Sequence, residues 1–288
     1  MKILLVIKHS KFEWDQKRLN ITPEELKNKL AVEGVLDAVI ASHECQISNR
    51  EYLLEALNIL NVDYTFCMMD QLKEQDNDYD LIIAFGGDNS FTYISHFNNK
   101  SILCGVNSDP KRSIGYLTKW KVENIQDACG LVSKLTSYDF RMEYWPRVGA
   151  ELNGQKITPA TSEYFFGEKQ RTKMSRHTIE FQGQVVEQKC SGLLVATGAG
   201  STGWFKSISA SYSEWRPTDP MASFVITEPY GLPKFTSGII SGKERLIIKS
   251  LNDGEGIISI DSWKELEFNR GNIVEVFIDT PLKIAVPK

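Results

Sequence analysis

The first half of the chain alternates short apolar runs with stretches of helical periodicity. Four runs predict strands, at residues 3–7, 64–68, 81–85 and 102–106, and the first has the continuous apolar pattern of a strand buried on both faces. Capping boxes predict helix starts at residues 22–25 and 48–51, and residues 122–135 have the spacing of a further helix. Strands separated by helices are typical of βαβ units, so we expect an N-terminal α/β domain built on a parallel sheet.

The second half has a different pattern, with apolar runs at short spacing. Asn153-Gly154 and Gln182-Gly183 are typical hairpin turns, and only a short helix is predicted, at residues 204–210. This half is therefore expected to be a predominantly antiparallel β domain, with the two domains covering residues 1–145 and 146–288. Its strand candidates are residues 178–181, 185–188, 192–196, 224–227, 246–249, 256–260 and 273–278.

Composition narrows the class of protein. The 288 residues are 42% hydrophobic and carry a net charge of −4 without a long Lys/Arg run, so a nucleic-acid partner is not expected. No stretch reaches the ~18 apolar residues of a membrane span, and the first apolar run is too short for a signal peptide. Five scattered cysteines predict reduced thiols and a cytoplasmic location. The four histidines do not have the spacing of a metal site.

The most informative segment is the polar loop after the third predicted strand, Gly86-Gly87-Asp88-Asn89-Ser90. In an open parallel sheet, ligands bind where the carboxyl ends of strands meet the helices that follow. Two glycines let a ligand approach the backbone, and a helix that begins at Ser90 would turn its free N–H groups toward an anion. Asp88 would repel phosphate, so we expect it to bind a hydroxyl group or magnesium.

The alternative interpretation of Gly-Gly-Asp is an ordinary turn. A second polar loop, residues 107–110, follows the next predicted strand. Two polar loops at neighbouring strand ends favour a ligand-binding crevice over a simple turn.

Four segments, in order along the chain, resemble the NAD kinase family. Residues 86–90 resemble the GGDGT loop that NAD kinases share with diacylglycerol and sphingosine kinases. Residues 105–117 are similar to the second family loop, in which Asn-Thr-Asp-Pro leads to Gly-Phe-Leu. Ser162-Glu163 stands at the family's Asn-Glu, and residues 197–204 resemble Thr-Pro-x-Gly-Ser-Thr-Ala-Tyr. The opening residues 8–13 are most similar to the mitochondrial-type branch.

This resemblance implies a kinase that phosphorylates the 2′-hydroxyl of the adenosine ribose of NAD, forming NADP. It implies Mg²⁺, ATP or polyphosphate as the donor, and a homodimer or homotetramer. Asp88 would contact the ribose, mainly as an orienting acceptor because the transition state of phosphoryl transfer is loose, and Gly86 and Gly87 would admit the donor phosphates. By the same resemblance, nucleotide-binding roles fall on Asn89, Ser90, Asn107, Tyr116, Ser162, Glu163, Ser191, Thr197, Ser201, Thr202 and Trp204.

These positions also have plain structural interpretations. Tyr116 and Trp204 are compatible with core aromatic residues, residues 197–203 with a Ser/Gly-rich turn, and Glu163 with an exposed charge. A nucleophilic Ser201 is disfavoured because the G-x-S-x-G elbow and an assignable histidine base are missing from the sequence.

The chain departs from the family pattern at three positions. Asn89 replaces the third glycine of GGDGT; asparagine tolerates left-handed backbone angles, so we expect the loop to survive. Ser162 replaces asparagine, and Ser191 replaces the aspartate of an Asp-Gly pair that meets the nicotinamide end of the substrate.

The sequence leaves two alternatives to an NAD kinase. They are a kinase of the same fold that acts on a lipid or sugar hydroxyl, and a non-catalytic NAD(P)-binding regulatory protein. Near the end of the chain, residues 282–286 predict a strand, where many family members have a helix that returns to the first domain.

Overall fold

The computed structural model describes residues 1–73, 78–98, 100–209, 215–231 and 233–288. Two compact units are present, Met1–Glu143 with Lys283–Lys288, and Tyr144–Leu282. The first contains parallel strands and helices and the second contains antiparallel strands, so the predicted fold class is confirmed. Within these residues, no helix has the length and apolar character that a membrane crossing requires.

The first unit is built on the parallel sheet order β2-β1-β3-β4. Its strands are β1 (Ile3–Ile7), β2 (Tyr64–Met68), β3 (Leu81–Gly86), β4 (Ile102–Asn107) and the short β5 (Trp120–Lys121), which pairs with β4. Its helices are α1 (Lys11–Leu19), α2 (Pro23–Val32), α3 (Leu36–Ile59), α4 (Asp88–Ser95) and α5 (Ile125–Thr136).

The apolar runs of β1 and β3 are buried along their whole length, as strands covered on both faces must be. Leu53 and Leu57 of α3 and Leu131 of α5 lie in one hydrophobic cluster with β1 and β3. At roughly 25 cal/mol per Å² of apolar area removed from water, this burial is the main stabilising contribution to the unit. It fixes the carboxyl ends of β1, β3 and β4 at one edge of the sheet.

In this unit one predicted helix start was wrong, and one helix was not predicted. The Ser48 box does not start a helix, because α3 runs without interruption from Leu36 to Ile59. The residues of α3 have good intrinsic helix propensity, and the helix packs along α5. Together these contributions outweigh the tendency of the Ser48 capping box to start a new helix. The sequence also missed α1, which begins with a capping box formed by Ser10 and Glu13.

The second unit is formed by antiparallel strands. Six of them form a sheet with the order β13-β12-β11-β8-β15-β16, and another path runs β10-β9-β14-β17. The strands are β6 (Arg141–Leu152), β7 (Gln155–Ala160), β8 (Glu163–Glu168), β9 (Ser175–Phe181), β10 (Gln184–Cys190), β11 (Gly192–Thr197), β12 (Met221–Thr227), β13 (Ser237–Ser241), β14 (Leu246–Ser250), β15 (Gly256–Ile260), β16 (Lys264–Glu267) and β17 (Ile273–Val286).

Short local signals in this half are confirmed. Asn153-Gly154 joins β6 to β7 and Gln182-Gly183 joins β9 to β10, with all four residues at positive φ as two-residue hairpin turns require. The short helix α6 spans Trp204–Ile208; the predicted end at Ala210 lies outside the described residues. The end of the chain is a strand as expected, and Lys283 and Ile284 of β17 pair in parallel with β4.

His177 is a buried histidine in β9. Its side chain lies on the inward face of the strand and is fully buried. Its ring stacks on Phe268 at 6.0 Å between centroids, and neither ring nitrogen has a hydrogen-bond partner among the described residues. Burial lowers the pKa of His177 from 6.5 to about 4.

We expect His177 to make the stability of the protein sensitive to acid. Between about pH 6.5 and pH 4 the unfolded chain binds a proton that the folded protein excludes. The free energy of unfolding therefore falls as pH decreases through this window, by up to about 3 kcal/mol, and is fully retained above it. His177→Phe keeps a ring against Phe268 and removes the titration. Urea unfolding at pH 7.5 and pH 5 should show wild type losing stability relative to this variant; an unchanged difference between the two proteins would contradict the assignment.

Candidate nucleotide site

The Gly-Gly-Asp segment lies at the carboxyl end of β3. β3 ends at Gly86, Gly87 is the N-cap of α4, and Asp88 is the first residue of this helix. The helix therefore begins two residues earlier than the predicted start at Ser90, and Ser90 is buried in its first turn. A carboxylate in the first turn is favoured by the helix dipole, so the local sequence stabilises this position of Asp88.

The surroundings of Gly86 and Gly87 differ in the space that they leave for a side chain. A Cβ on Gly86 would lie 2.7 Å from the Cβ and Oγ of Ser90, so close packing excludes a larger residue there. A Cβ on Gly87 would meet no atom of the chain within 4 Å. Because Gly87 also has an extended backbone with φ −105°, the fold itself does not require glycine at this position, and the open space is available to a ligand.

Both carboxylate oxygens of Asp88 bind the loop after β4. Oδ2 accepts a hydrogen bond from the backbone N–H of Tyr116 at 2.8 Å, and Oδ1 accepts from the N–H of Leu117 at 2.8 Å. Oδ1 also accepts from the N–H and the hydroxyl of Thr118 at 3.1 and 3.2 Å. A carboxylate offers about four acceptor positions, and Oδ2, with one of these partners, keeps acceptor capacity for a hydroxyl.

The loop after β4 is organised from within. Asn107 is fully buried; its Nδ2 donates to Ser113 O at 3.0 Å and its Oδ1 accepts from Asp109 N at 3.1 Å. Gly115 has φ +65°, and a Cβ there would lie 2.4 Å from Asn107 Nδ2. Asn107 thus shapes the loop that reaches Asp88. Tyr116, in the same loop, is partly exposed, and the Lys119 ammonium lies 4.5 Å from its ring centroid.

Asn89 is exposed in the first turn of α4. It is not among the residues with positive φ, so its tolerance of left-handed angles is not what preserves the loop. The residue is helical, and a side chain there is accommodated because it faces outward.

In the second unit, Asp261 fixes the Ser162-Glu163 segment. Its Oδ2 accepts from Thr161 N at 2.7 Å, and its Oδ1 accepts from Ser162 N at 2.8 Å and from Glu163 N at 2.7 Å. Sequence reasoning missed Asp261; the signal was an acidic residue directly after the apolar strand β15. One carboxylate thus holds three successive backbone N–H groups, as Asp88 does in the first unit.

The segment 197–203 packs against the same turn. Thr197 is buried, and its hydroxyl donates to Thr161 O at 2.6 Å and accepts from Ala199 N at 3.1 Å. Ser201 is also buried, with its hydroxyl donating to Gly198 O at 2.8 Å. Both hydroxyls serve the loop's own structure, so ligand contacts from this segment would come from its more accessible residues.

The accessible residues are Thr202, Gly203 and Trp204. The ring of Trp204 lies 5.2 Å from that of Phe165, and the Arg171 guanidinium lies 5.0 Å from the Trp204 centroid. Ser191 precedes β11, whereas Thr197 ends it, so six residues of extended chain, roughly 20 Å, separate them. The structure therefore brings together Ser162, Glu163 and the segment 197–204 but not Ser191.

Glu163 has an unusual environment. Gly200 approaches it so closely that a Cβ there would lie 2.9 Å from Glu163 Oε2. Burial raises the pKa of the Glu163 carboxyl to about 8, with the charge of Asp261 adding to the effect. At neutral pH this carboxyl is therefore mainly protonated, and it can donate as well as accept a hydrogen bond.

Known proteins with this fold include two nucleotide-bound structures. An NAD kinase from Archaeoglobus fulgidus in complex with ATP matches 99% of this chain and 93% of its own, with a TM-score of 0.68 and 19% identity. Yeast NADH kinase complexed with NADH matches 100% of this chain and 84% of its own, with a TM-score of 0.69 and 15% identity. The fold thus places the chain among the two-domain α/β proteins to which these kinases belong.

Proteins of similar sequence are also named NAD kinase or NADH kinase. Human mitochondrial NAD kinase 2 is 21% identical, covering 96% of this chain and 82% of the relative. A probable NADH kinase from Oryza sativa subsp. japonica is 26% identical, covering 79% and 77%. No family model matches the chain. These matches confirm the resemblance that the four segments indicated, and the chain is related to the NAD kinases.

Proposed function

We propose that the protein is an NAD kinase, a phosphotransferase that forms NADP from NAD. The observation that carries this proposal is Asp88, which directly follows the Gly86-Gly87 bend and whose Oδ2, with a single hydrogen bond from Tyr116 N, can still accept one from a hydroxyl group. The relatives named NAD kinase and NADH kinase support the choice of NAD as the acceptor.

In this proposal the 2′-oxygen of the adenosine ribose attacks the terminal phosphorus of the donor. A bond forms between this oxygen and phosphorus, the bond to the bridging oxygen breaks, and ADP leaves when ATP is the donor. Asp88 accepts the hydroxyl hydrogen and orients the oxygen for in-line attack. The hydroxyl proton is released as transfer completes, to the carboxylate or to water.

Magnesium is part of the same proposal. The described residues contain no group of three or more His, Cys, Asp or Glu side chains that could hold a metal ion. Magnesium in nucleotide sites usually keeps several waters and is bound by one or two carboxylates plus substrate phosphates. The residues present therefore fit an ion that binds together with the donor phosphates. Asp88 is the carboxylate at the glycine bend that would bind this ion, and the ion would neutralise phosphate charge.

In the second unit, we propose that Glu163 forms a hydrogen bond with a ribose hydroxyl of NAD. Thr202 and Trp204 would contact the adenosine. The raised pKa of Glu163 supports a protonated carboxyl that donates to a ribose oxygen at neutral pH. Homodimer or homotetramer formation and a cytoplasmic location belong to this proposal too. All five cysteines are free thiols, which supports a reducing compartment.

The two glycines of the bend allow a sharp test of donor binding. Gly87→Ala should change the free energy of unfolding by less than about 1 kcal/mol but raise KM for MgATP at least about tenfold, because its methyl occupies the space that we assign to phosphate. Gly86→Ala should instead destabilise the fold by about 1–3 kcal/mol through overlap with Ser90. Thermal unfolding and steady-state kinetics measure both effects; a normal KM in Gly87→Ala would count against this use of the bend.

The test of the function is an acceptor screen. Purified protein with MgATP, other nucleoside triphosphates or polyphosphate is incubated with NAD, NADH, sugars and diacylglycerol, and transferred phosphate is followed. The proposal predicts label on NAD or NADH. Label on a lipid or sugar alone would reverse it, and micromolar NAD(P) binding without transfer from any donor would favour a regulatory binding protein.

A further inference from the structure

A cavity of about 400 Å³ lies in the first unit beside the glycine bend. Lys8 lies between the cavity and the bend. It directly follows β1 and donates its backbone N–H to Phe85 O at 3.0 Å. Its Cβ is so near Gly86 that a Cβ added to Gly86 would lie 3.2 Å from it. The cavity therefore opens at the carboxyl edge of β1 and β3, where parallel sheets bind ligands. Its volume lies in the range of about 300–1,000 Å³ typical of small-molecule pockets.

The walls of the cavity suit a flat aromatic group. His9, Trp14, Met69 and Tyr93 line it. Trp14 is 46% exposed although it is a large aromatic residue, and its ring lies 6.3 Å from that of His9. Aromatic faces stack on planar heterocycles, and a methionine thioether adapts to the shape of a ring.

Charge around the cavity is balanced except at Lys8. Lys11 pairs with Asp15, and Lys17 pairs with Asp70. The Asp70 carboxylate also lies 3.3 Å from His9 Nε2. Lys8 is exposed, and within the described part of the chain its ammonium has no ion-pair partner. One uncompensated cation thus stands between an apolar, aromatic cavity and a bend that leaves room for phosphate.

We infer that this cavity holds the base of a nucleoside triphosphate, which is the phosphoryl donor, and that Lys8 binds its phosphates at the Gly86-Gly87 bend. The inference rests on the proposed function and extends it, because it selects a nucleotide over inorganic polyphosphate. Trp14 is then a specificity residue for the donor. Lys8 is a phosphate-binding residue that acts on any polyphosphate chain, with or without a base.

The experiment compares Trp14→Ala and Trp14→Phe with wild type, using MgATP and magnesium tripolyphosphate as donors. Phe66→Ala is the matched control, since Phe66 is an exposed aromatic residue of the same unit, 56% accessible, and does not line the cavity. Circular dichroism and thermal unfolding establish that each variant is folded. Calorimetric titration with MgATP in the absence of NAD gives a readout that does not depend on turnover.

Removing one stacked ring costs roughly 5- to 150-fold in affinity. We therefore expect Trp14→Ala to raise both Kd and KM for MgATP by at least about tenfold. The KM for NAD and the KM for tripolyphosphate should stay unchanged in this variant. Trp14→Phe should stay close to wild type in all of these constants. Lys8→Gln should weaken MgATP and tripolyphosphate alike, more strongly at low salt.

Two results would overturn the inference. One is an unchanged Kd for MgATP in Trp14→Ala; the other is an equal loss for MgATP and tripolyphosphate in this variant, which would mean that Trp14 acts on the fold of the bend. Either result leaves NAD phosphorylation by wild type intact. Conversely, if wild type phosphorylates nothing, MgATP binding that Trp14→Ala weakens still supports the nucleotide pocket, and the failure belongs to the proposed function alone.

Discussion

Asp88→Asn is expected to lower the rate of NADP formation by about 10²–10⁴-fold, the usual contribution of a positioned acceptor to a proton-linked transfer step. The amide cannot present two acceptor oxygens, and its NH₂ group would face N–H donors of residues 116–118. We therefore also expect a loss of about 1–3 kcal/mol in the free energy of unfolding. Initial rates at saturating NAD and MgATP, with urea unfolding in parallel, measure both effects.

Asp109→Asn separates chemistry from loop structure. Asp109 is a buried carboxylate of the loop after β4, where it accepts from Ser42 Oγ at 2.6 Å and from Arg112 at 3.0 Å. Its replacement should cost similar stability and leave transfer within about tenfold of wild type. Equal losses of rate in the two variants would show that the loop, and not the Asp88 carboxylate, matters.

Asp261→Ala is expected to destabilise the protein by about 3 kcal/mol or more, because three successive backbone N–H groups lose their shared acceptor. Since the charge of Asp261 adds to the effect of burial on Glu163, the pKa of Glu163 should also fall below about 8 while remaining raised by burial. Displacement of the Ser162-Glu163 turn should raise KM for NAD about tenfold. Urea unfolding, carboxyl ¹³C titration and kinetics measure the three effects.

Asp253→Asn is the matched control for Asp261. Asp253 lies in the same unit and forms ion pairs with Arg176 and Arg270, but its side chain is 59% exposed. Exposed pairs contribute at most about 1 kcal/mol, so stability and KM should change little. If Asp261→Ala behaved like this control, the hydrogen bonds to residues 161–163 would not be holding the turn.

The sequence predicts the strands best where a short local run of residues decides them. The runs at β1, β2 and β15 match their predicted bounds, and the Asn-Gly and Gln-Gly turns are set by two residues each. Longer-range packing decides the rest. α3 extends through a capping box because contact with α5 outweighs one local cap, and His177 is buried because strand pairing places its side chain in the core.

The candidate site was predictable as a set of segments and not as a set of contacts. The Gly-Gly-Asp loop stands at the end of β3 as its motif indicates, and residues 116–118 meet Asp88. The partners of these residues come from distant parts of the chain: Asp261 binds a turn nearly 100 residues earlier, and Lys8 lies beside Gly86. Periodicity carries no information about such contacts, because they depend on tertiary packing.

The most direct measurement is ³¹P NMR of the product formed from NAD and MgATP. We predict that wild type gives NADP with the new phosphate on the 2′-oxygen of the adenosine ribose, and that Asp88→Asn gives at most about 1% of this rate. No phosphorylated NAD or NADH from wild type with any nucleoside triphosphate or polyphosphate, or phosphate on another hydroxyl, would contradict it.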